Sequence, residues 1–217
     1  ENTEFSESFT AFLSKRTLVT KEVRNTVGDI ITQIRNNGDE ALKSLTKKFD
    51  NFEAEEFIVS EKEINEILKN FDKRLIKSFE FSFDRLINYQ STCFDSLNLD
   101  GPKGEITRKF RTIDSVGMYI PGGKASYPST VLMGSAPAKA CGVKQISIAS
   151  PALNGFLNPM VIAAAKVVGV DKIYKIGGAQ AIAALALGTE QISRVEKIIG
   201  PGLSLIHISE PTRLATI

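Results

Sequence analysis

Two kinds of hydrophobic spacing divide the chain. In the first hundred residues apolar positions recur at helical intervals: Val23, Val27, Ile30, Ile31 and Ile34 mark one buried face, and Phe71, Leu75, Ile76, Phe79, Phe83, Leu86, Ile87 and Phe94 mark a longer one. Gly38 stands where the first helix would close, and Asp39 can cap a successor running through Phe49. Ser60 and Glu63 have the capping-box spacing that starts a further helix, after a candidate short strand at Glu56–Val59. The long phenylalanine stripe reads as an internal packing face rather than a docking surface, because amphipathic helices ordinarily bury such a stripe within their own domain.

Beyond a weakly alternating segment at Gly104–Ile113, the period changes. Short apolar runs begin near Val116, Gln145, Lys172 and Lys197, at intervals of about 25 to 29 residues, the spacing of strand-helix units in an open parallel sheet. Each run ends in turn residues and is followed by a small-residue helical stretch. Pro121-Gly122-Gly123 follows the first strand, Pro128 suits the first turn of the next helix, and Pro137 lies within that helix before Gly142 ends it. A second helix, Met160–Val168, closes at Gly169, and a third, Ala181–Leu187, closes at Gly188. The expected fold is therefore α/β: a Rossmann-like open parallel sheet over about 116–202, preceded by a mainly helical segment, 1–115, that belongs to an incomplete second α/β domain.

Composition agrees with that boundary. Residues 1–100 hold two glycines, no proline and eleven of thirteen phenylalanines, whereas the remainder holds fourteen glycines and all eight prolines. Lys+Arg (27) and Asp+Glu (25) nearly cancel and are interspersed, which argues against a nucleic-acid partner. The longest apolar stretches fall well short of the ~18 residues of a membrane span. With no charged-then-apolar leader, cytoplasm is the expected location and no membrane partner is expected. Cys93 and Cys141 have no second pair and read as reduced thiols. A single histidine, His207, leaves too few ligands for a Cys/His zinc site or a nucleophile-histidine pair.

Candidate chemistry gathers at the strand ends. Gly177-Gly178 between strand and helix would place amides at the positive end of a helix dipole, a setting that favours a phosphate or other anion, although any sharp strand-to-helix turn also wants glycine. Gln180, in the first turn of that helix, can donate to and accept from a ligand; taken alone it reads as a solvated helix residue. Tyr119 occupies the carboxyl end of the first strand, outside which ligands of open α/β sheets bind, and could contact a ribose or base or be a core tyrosine with a satisfied hydroxyl.

Four segments, Val-Gly-Met-Tyr-Ile-Pro-Gly-Gly (116–123), Tyr-Pro-Ser-Thr-Val-Leu-Met (127–133), Ile-Gly-Gly-Ala-Gln-Ala-Ile-Ala-Ala-Leu-Ala (176–186) and Lys-Ile-Ile-Gly-Pro-Gly (197–202), resemble histidinol dehydrogenase in order and spacing. The resemblance extends weakly upstream through Gly38-Asp39-Glu40-Ala41-Leu42 and Lys48-Phe49-Asp50, covering about residues 5–202. It implies a zinc-containing, NAD-dependent homodimer that oxidises L-histidinol through the aldehyde to L-histidine with two NAD+, the last steps of histidine biosynthesis. It also implies Tyr119 and Gln180 as NAD contacts.

The family pattern continues Gly-Pro-Gly-Asn, the asparagine being a further NAD contact, but position 203 here is Leu203. From there the run Leu-Ser-Leu-Ile-His-Ile-Ser-Glu-Pro-Thr-Arg departs from the family and resembles the translation of a transposase sequencing adapter, so residues 203–217 are expected to be a non-native tail. The family's zinc ligands and Glu-His acid/base pair would lie downstream, and His207 matches none of them. The resemblance thus implies a fragment without catalytic or metal residues, inactive alone. The competing expectation is a stand-alone nucleotide-binding or helical interaction module without catalysis.

Overall fold

The computed structural model describes residues 5–10, 21–95, 99–100, 107–108, 110–122, 126–152 and 154–201. A short helix α1 (residues 5–10) precedes α2 (Lys21–Asp50), which is two helical runs joined at Gly38, where φ 49° and ψ −126° break the helical path. Glycine alone takes that conformation cheaply. The second run starts on an Asp39 amide that donates to the Glu190 carboxylate at 3.1 Å, and Gly38 closes the first helix as its position in the sequence suggested. Asn51, at φ 49°, follows Asp50 and ends α2 in the left-handed conformation asparagine tolerates.

Glu56–Val59 does not make a full strand. Ile58 forms a single antiparallel bridge to Tyr174, flanked by Lys175 N–H donating to Phe57 C=O (2.7 Å) and Val59 N–H donating to Ile173 C=O (2.8 Å). Helix α3 (Glu61–Leu68) then begins at Ser60, whose hydroxyl accepts from the Glu63 amide at 3.2 Å. Only that half of the capping box is used, because the Glu63 carboxylate reaches Lys175 Nζ at 3.0 Å instead. Helix α4 (Lys73–Asp95) follows; Phe79 is buried and Phe71, Phe83 and Leu86 pack against the core, as the stripe predicts.

Strands β1 (Leu99–Asp100) and β2 (Thr107–Arg108) form a small antiparallel pair. Among the described residues of the alternating segment Gly104–Ile113, only β2 is strand; residues 101–106 and 109 lie outside the described set. The main sheet consists of β3 (Ser115–Tyr119), β4 (Gln145–Ser150), β5 (Lys172–Lys175) and β6 (Lys197–Ile199), all parallel in the order β5-β4-β3-β6. Helices α5 (Pro128–Ala140), α6 (Pro159–Val168) and α7 (Gly178–Leu187) make the crossovers. Gly123 and residues 202–217, including His207 and the expected tail, are outside the described residues.

Alternation along each buried strand feeds two cores. Met118, Ile120, Ile146, Ile148 and Ile173 meet α3, α4, α5 and α6 on one face; Tyr119, Ala149, Tyr174 and Ile176 meet α2 and α7 on the other. Gly117 lets α7 approach closely: a Cβ there would come within 3.0 Å of Val195 Cγ2 and 3.1 Å of Leu185 Cδ1. The helical N-terminal residues therefore cover both faces of the sheet.

Candidate functional site

The sheet order places a topological switch between β3 and β6: the chain moves outward through β4 and β5 on one side of β3 and returns to its other side with β6. Ligands of open parallel sheets bind in the crevice outside the carboxyl ends of the strands at such a point. A cleft of about 370 Å³ opens there, lined by Tyr119, Thr130, Met133, Gly134, Ile199 and Gly200 among others. Gly200, at φ 145°, packs directly on the Tyr119 carbonyl, leaving no room for a side chain between the two strand ends. A larger groove, about 760 Å³, is walled by exposed charged residues of α2 and the segment after it, such as Lys43, Lys47 and Glu53, and lies apart from the switch point.

Tyr119 is buried with its ring in the α2-α7 core, and its hydroxyl accepts a hydrogen bond from the Gly178 amide at 3.2 Å. The packed reading holds, a core tyrosine with a satisfied hydroxyl, and the residue also lines the cleft. Gln180 is not the solvated residue its helix position suggested. It is only 2% exposed, and its Nε2 donates to Asp50 Oδ2 at 3.4 Å. The chain turns sharply beneath these groups. A Cβ on Gly177 would lie 2.6 Å from Pro151 Cγ, and Gly178, at φ 64°, has Gln180 Oε1 where its Cβ would point.

Asp50 was not singled out as a site residue, yet it completes the cluster. Its carboxylate accepts from Gln180, and the nearby Gly177 backbone amide favours its charged form. Burial raises the Asp50 pKa above its ordinary value, with the hydrogen bonds from Gly177 and Gln180 opposing that rise. Burial likewise raises the Tyr119 phenol, the Gly178 amide opposes the rise, and the nearby Asp50 charge adds to it. Of the two readings the sequence left open for Gly177-Gly178, anion cradle or tight turn, the turn geometry is seen, and the Gly178 amide is held by the Tyr119 phenol. The only sequence sign of Asp50 was the Lys48-Phe49-Asp50 motif, part of the weak upstream resemblance, just after a helix expected to run through Phe49.

Comparison with known proteins decides the family. The family model described as histidinol dehydrogenase matches residues 13–208. The chain belongs to the histidinol dehydrogenase family. It is similar to the histidinol dehydrogenase of Oceanobacillus iheyensis, 47% identical over 86% of this chain and 44% of that protein, and to that of Agrobacterium fabrum, 39% identical over 99% of this chain and 50% of that protein. The crystal structure of histidinol dehydrogenase from Elizabethkingia anophelis superposes with a TM-score of 0.80 at 33% identity, covering 86% of this chain and 44% of that one. The chain thus spans about half the length of the curated relatives it matches. The family match continues to residue 208, past Gly202, where the motif resemblance stops. Tyr119, Gly177, Gly178, Gln180 and Asp50 all fall within the histidinol dehydrogenase match.

Among the described residues no helix is long and apolar enough to cross a membrane. The described residues also gather no group of three or more His, Cys, Asp or Glu that could hold a metal ion, so they do not fit the zinc site the family implies.

Proposed function

We propose that this chain is the cofactor-side part of a histidinol dehydrogenase, the whole enzyme oxidising L-histidinol through the aldehyde to L-histidine with two NAD+. The supporting observation is the convergence of Tyr119, the Gly177-Gly178 turn and Gln180 at the carboxyl ends of parallel strands, with Tyr119 also lining the cleft at the sheet's switch point. NAD, when bound, supplies the hydride acceptor. The chain's own part is to seat it, with the Tyr119 phenol and Gln180 carboxamide as contacts and the apolar cleft wall excluding water.

Oxidising an alcohol also needs a group to take the hydroxyl proton and an electrophile to orient the oxygen. In this proposal both come from the part of the enzyme outside this chain, as do zinc and the contacts that make a homodimer; the 217-residue chain alone is inactive, and the enzyme is cytoplasmic. Division of the chain into 1–115, 116–202 and a non-native 203–217 belongs to the same reading. Limited proteolysis tests the first boundary, and a natural gene reading through Leu203 to Ile217 and stopping would refute the last.

The deciding experiment is complementation. The full-length gene should rescue a histidine auxotroph, and Tyr119→Phe and Gln180→Ala in the full-length protein should raise KM for NAD; a full-length protein that neither rescues growth nor reduces NAD with histidinol overturns the reading. A stand-alone nucleotide-binding module is favoured by the coverage of both sheet faces within this chain. It would be supported if the chain alone were a monomer binding NAD as tightly as the full-length protein.

A further inference from the structure

We infer that Asp50 is the resident anion of the Gly177-Gly178 turn, closing it to phosphate and presenting there an acceptor for a neutral donor of the ligand, a ribose hydroxyl. The ribose part of this inference rests on the NAD reading above; the exclusion of phosphate does not.

Three observations carry it. First, the geometry of the turn: Gln180 Nε2 donates to the Asp50 carboxylate and the Gly178 amide donates to Tyr119, with the Gly177 amide near enough to Asp50 to favour its charged form. A phosphate arriving at this turn would find the Gly178 amide taken and a carboxylate beside it. Second, Asp50 is the last residue of α2, at the end of a helix where a cation is favoured and an anion is not. Its own helix gives the carboxylate no support; the first turn of α7 does. Third, Gln180 is almost fully buried, and an ionised carboxylate beside it accepts only, which orients the carboxamide with Nε2 toward Asp50. Asp50 is thus a positioning residue for Gln180 as well as the source of negative charge. A half-buried carboxylate with spare lone pairs, next to Gln180, accepts from a hydroxyl and repels an anion.

The test uses the 217-residue chain labelled with 15N-glycine, following the Gly177 and Gly178 amide resonances during titration with inorganic phosphate and, separately, with NAD. Wild type should show no phosphate-dependent shift at these amides. Asp50→Asn and Asp50→Ser should each gain a saturable phosphate response, at least about tenfold stronger than wild type, while NAD binding weakens by about tenfold through loss of a charge-assisted acceptor. A phosphate response at Gly177 or Gly178 in wild type overturns the assignment without any variant having to fold. So does the failure of both variants, folded by circular dichroism, to gain one; a merely structural aspartate would give that result. Phosphate behaviour as expected with no NAD response in wild type overturns the ribose part and the NAD seating, and leaves the resident anion standing.

Discussion

The hydroxyl of Tyr119 accepts the Gly178 amide at 3.2 Å, tying the carboxyl end of β3 to the first residue of α7 across 59 positions of sequence. That bond locks the turn after β5 against a strand two places away in the sheet, and it sets the wall of the cleft.

Tyr119→Phe removes the acceptor and leaves the Gly178 amide facing an apolar ring. Loss of one such bond should destabilise the chain by about 1 kcal/mol. Urea unfolding of the two proteins measures it, and an unchanged midpoint would show that water takes the phenol's place.

Asp50 should be felt at Tyr119. Burial is the main reason the Tyr119 phenol titrates high, and the Asp50 charge adds to it. Asp50→Asn should therefore lower the Tyr119 pKa while leaving it above that of a free tyrosine. Near-ultraviolet absorbance against pH, with Tyr119→Phe as the blank, isolates this phenol from the other tyrosines.

The same carboxyl gives stability a pH dependence of unusual sign for an aspartate. Its folded pKa lies above the unfolded value of about 3.8, so the folded state holds the proton longer. Between the two pKa values unfolding releases a proton, and stability falls as pH rises. The contribution is complete below the unfolded pKa and lost as pH passes the folded one. Unfolding midpoints from pH 3.5 upward (about the unfolded pKa of a free aspartate) should show Asp50→Asn gaining on wild type with rising pH; a difference that is flat or reversed would mean the hydrogen bonds outweigh burial.

Gly38→Ala should cost roughly 1–3 kcal/mol, through backbone strain at φ 49° more than through contact. The nearest atom to the added Cβ is Glu190 Oε2 at 2.8 Å, the far end of a flexible side chain that can withdraw. Adding Glu190→Ala to relieve that contact should recover little of the loss in thermal unfolding.

Gly177→Ala separates the opposite cause. Its φ of −120° suits any residue, but the Cβ would press on Pro151 at 2.6 Å, against a ring rather than a flexible end. Overpacking of about 1–3 kcal/mol is expected, together with displacement of the turn from Asp50. An alanine variant as stable as wild type would show that the Pro151 loop yields.

Much of this molecule was legible from local pattern. The strand-helix spacing after Val116, the closing glycines at 169 and 188, the break at Gly38 and the inward phenylalanine stripe of α4 each follow from periodicity or from one residue's conformational range, and these depend on neighbours a few positions away. The Glu56–Val59 strand fell short because only Ile58 bridges the sheet there, and the Ser60–Glu63 box was half filled because Lys175 offered Glu63 a closer charge.

The sequence alone determined a parallel α/β sheet, the family, and Tyr119 and Gln180 as candidate cofactor contacts. Tertiary structure decided what those residues touch. Asp50 and Gln180 lie 130 positions apart, and no local spacing relates them. They meet because α2 packs on α7 over one face of the sheet, bringing the carboxyl end of one helix to the amino end of the other, where a half-buried carboxylate finds its donor in the Gln180 side chain.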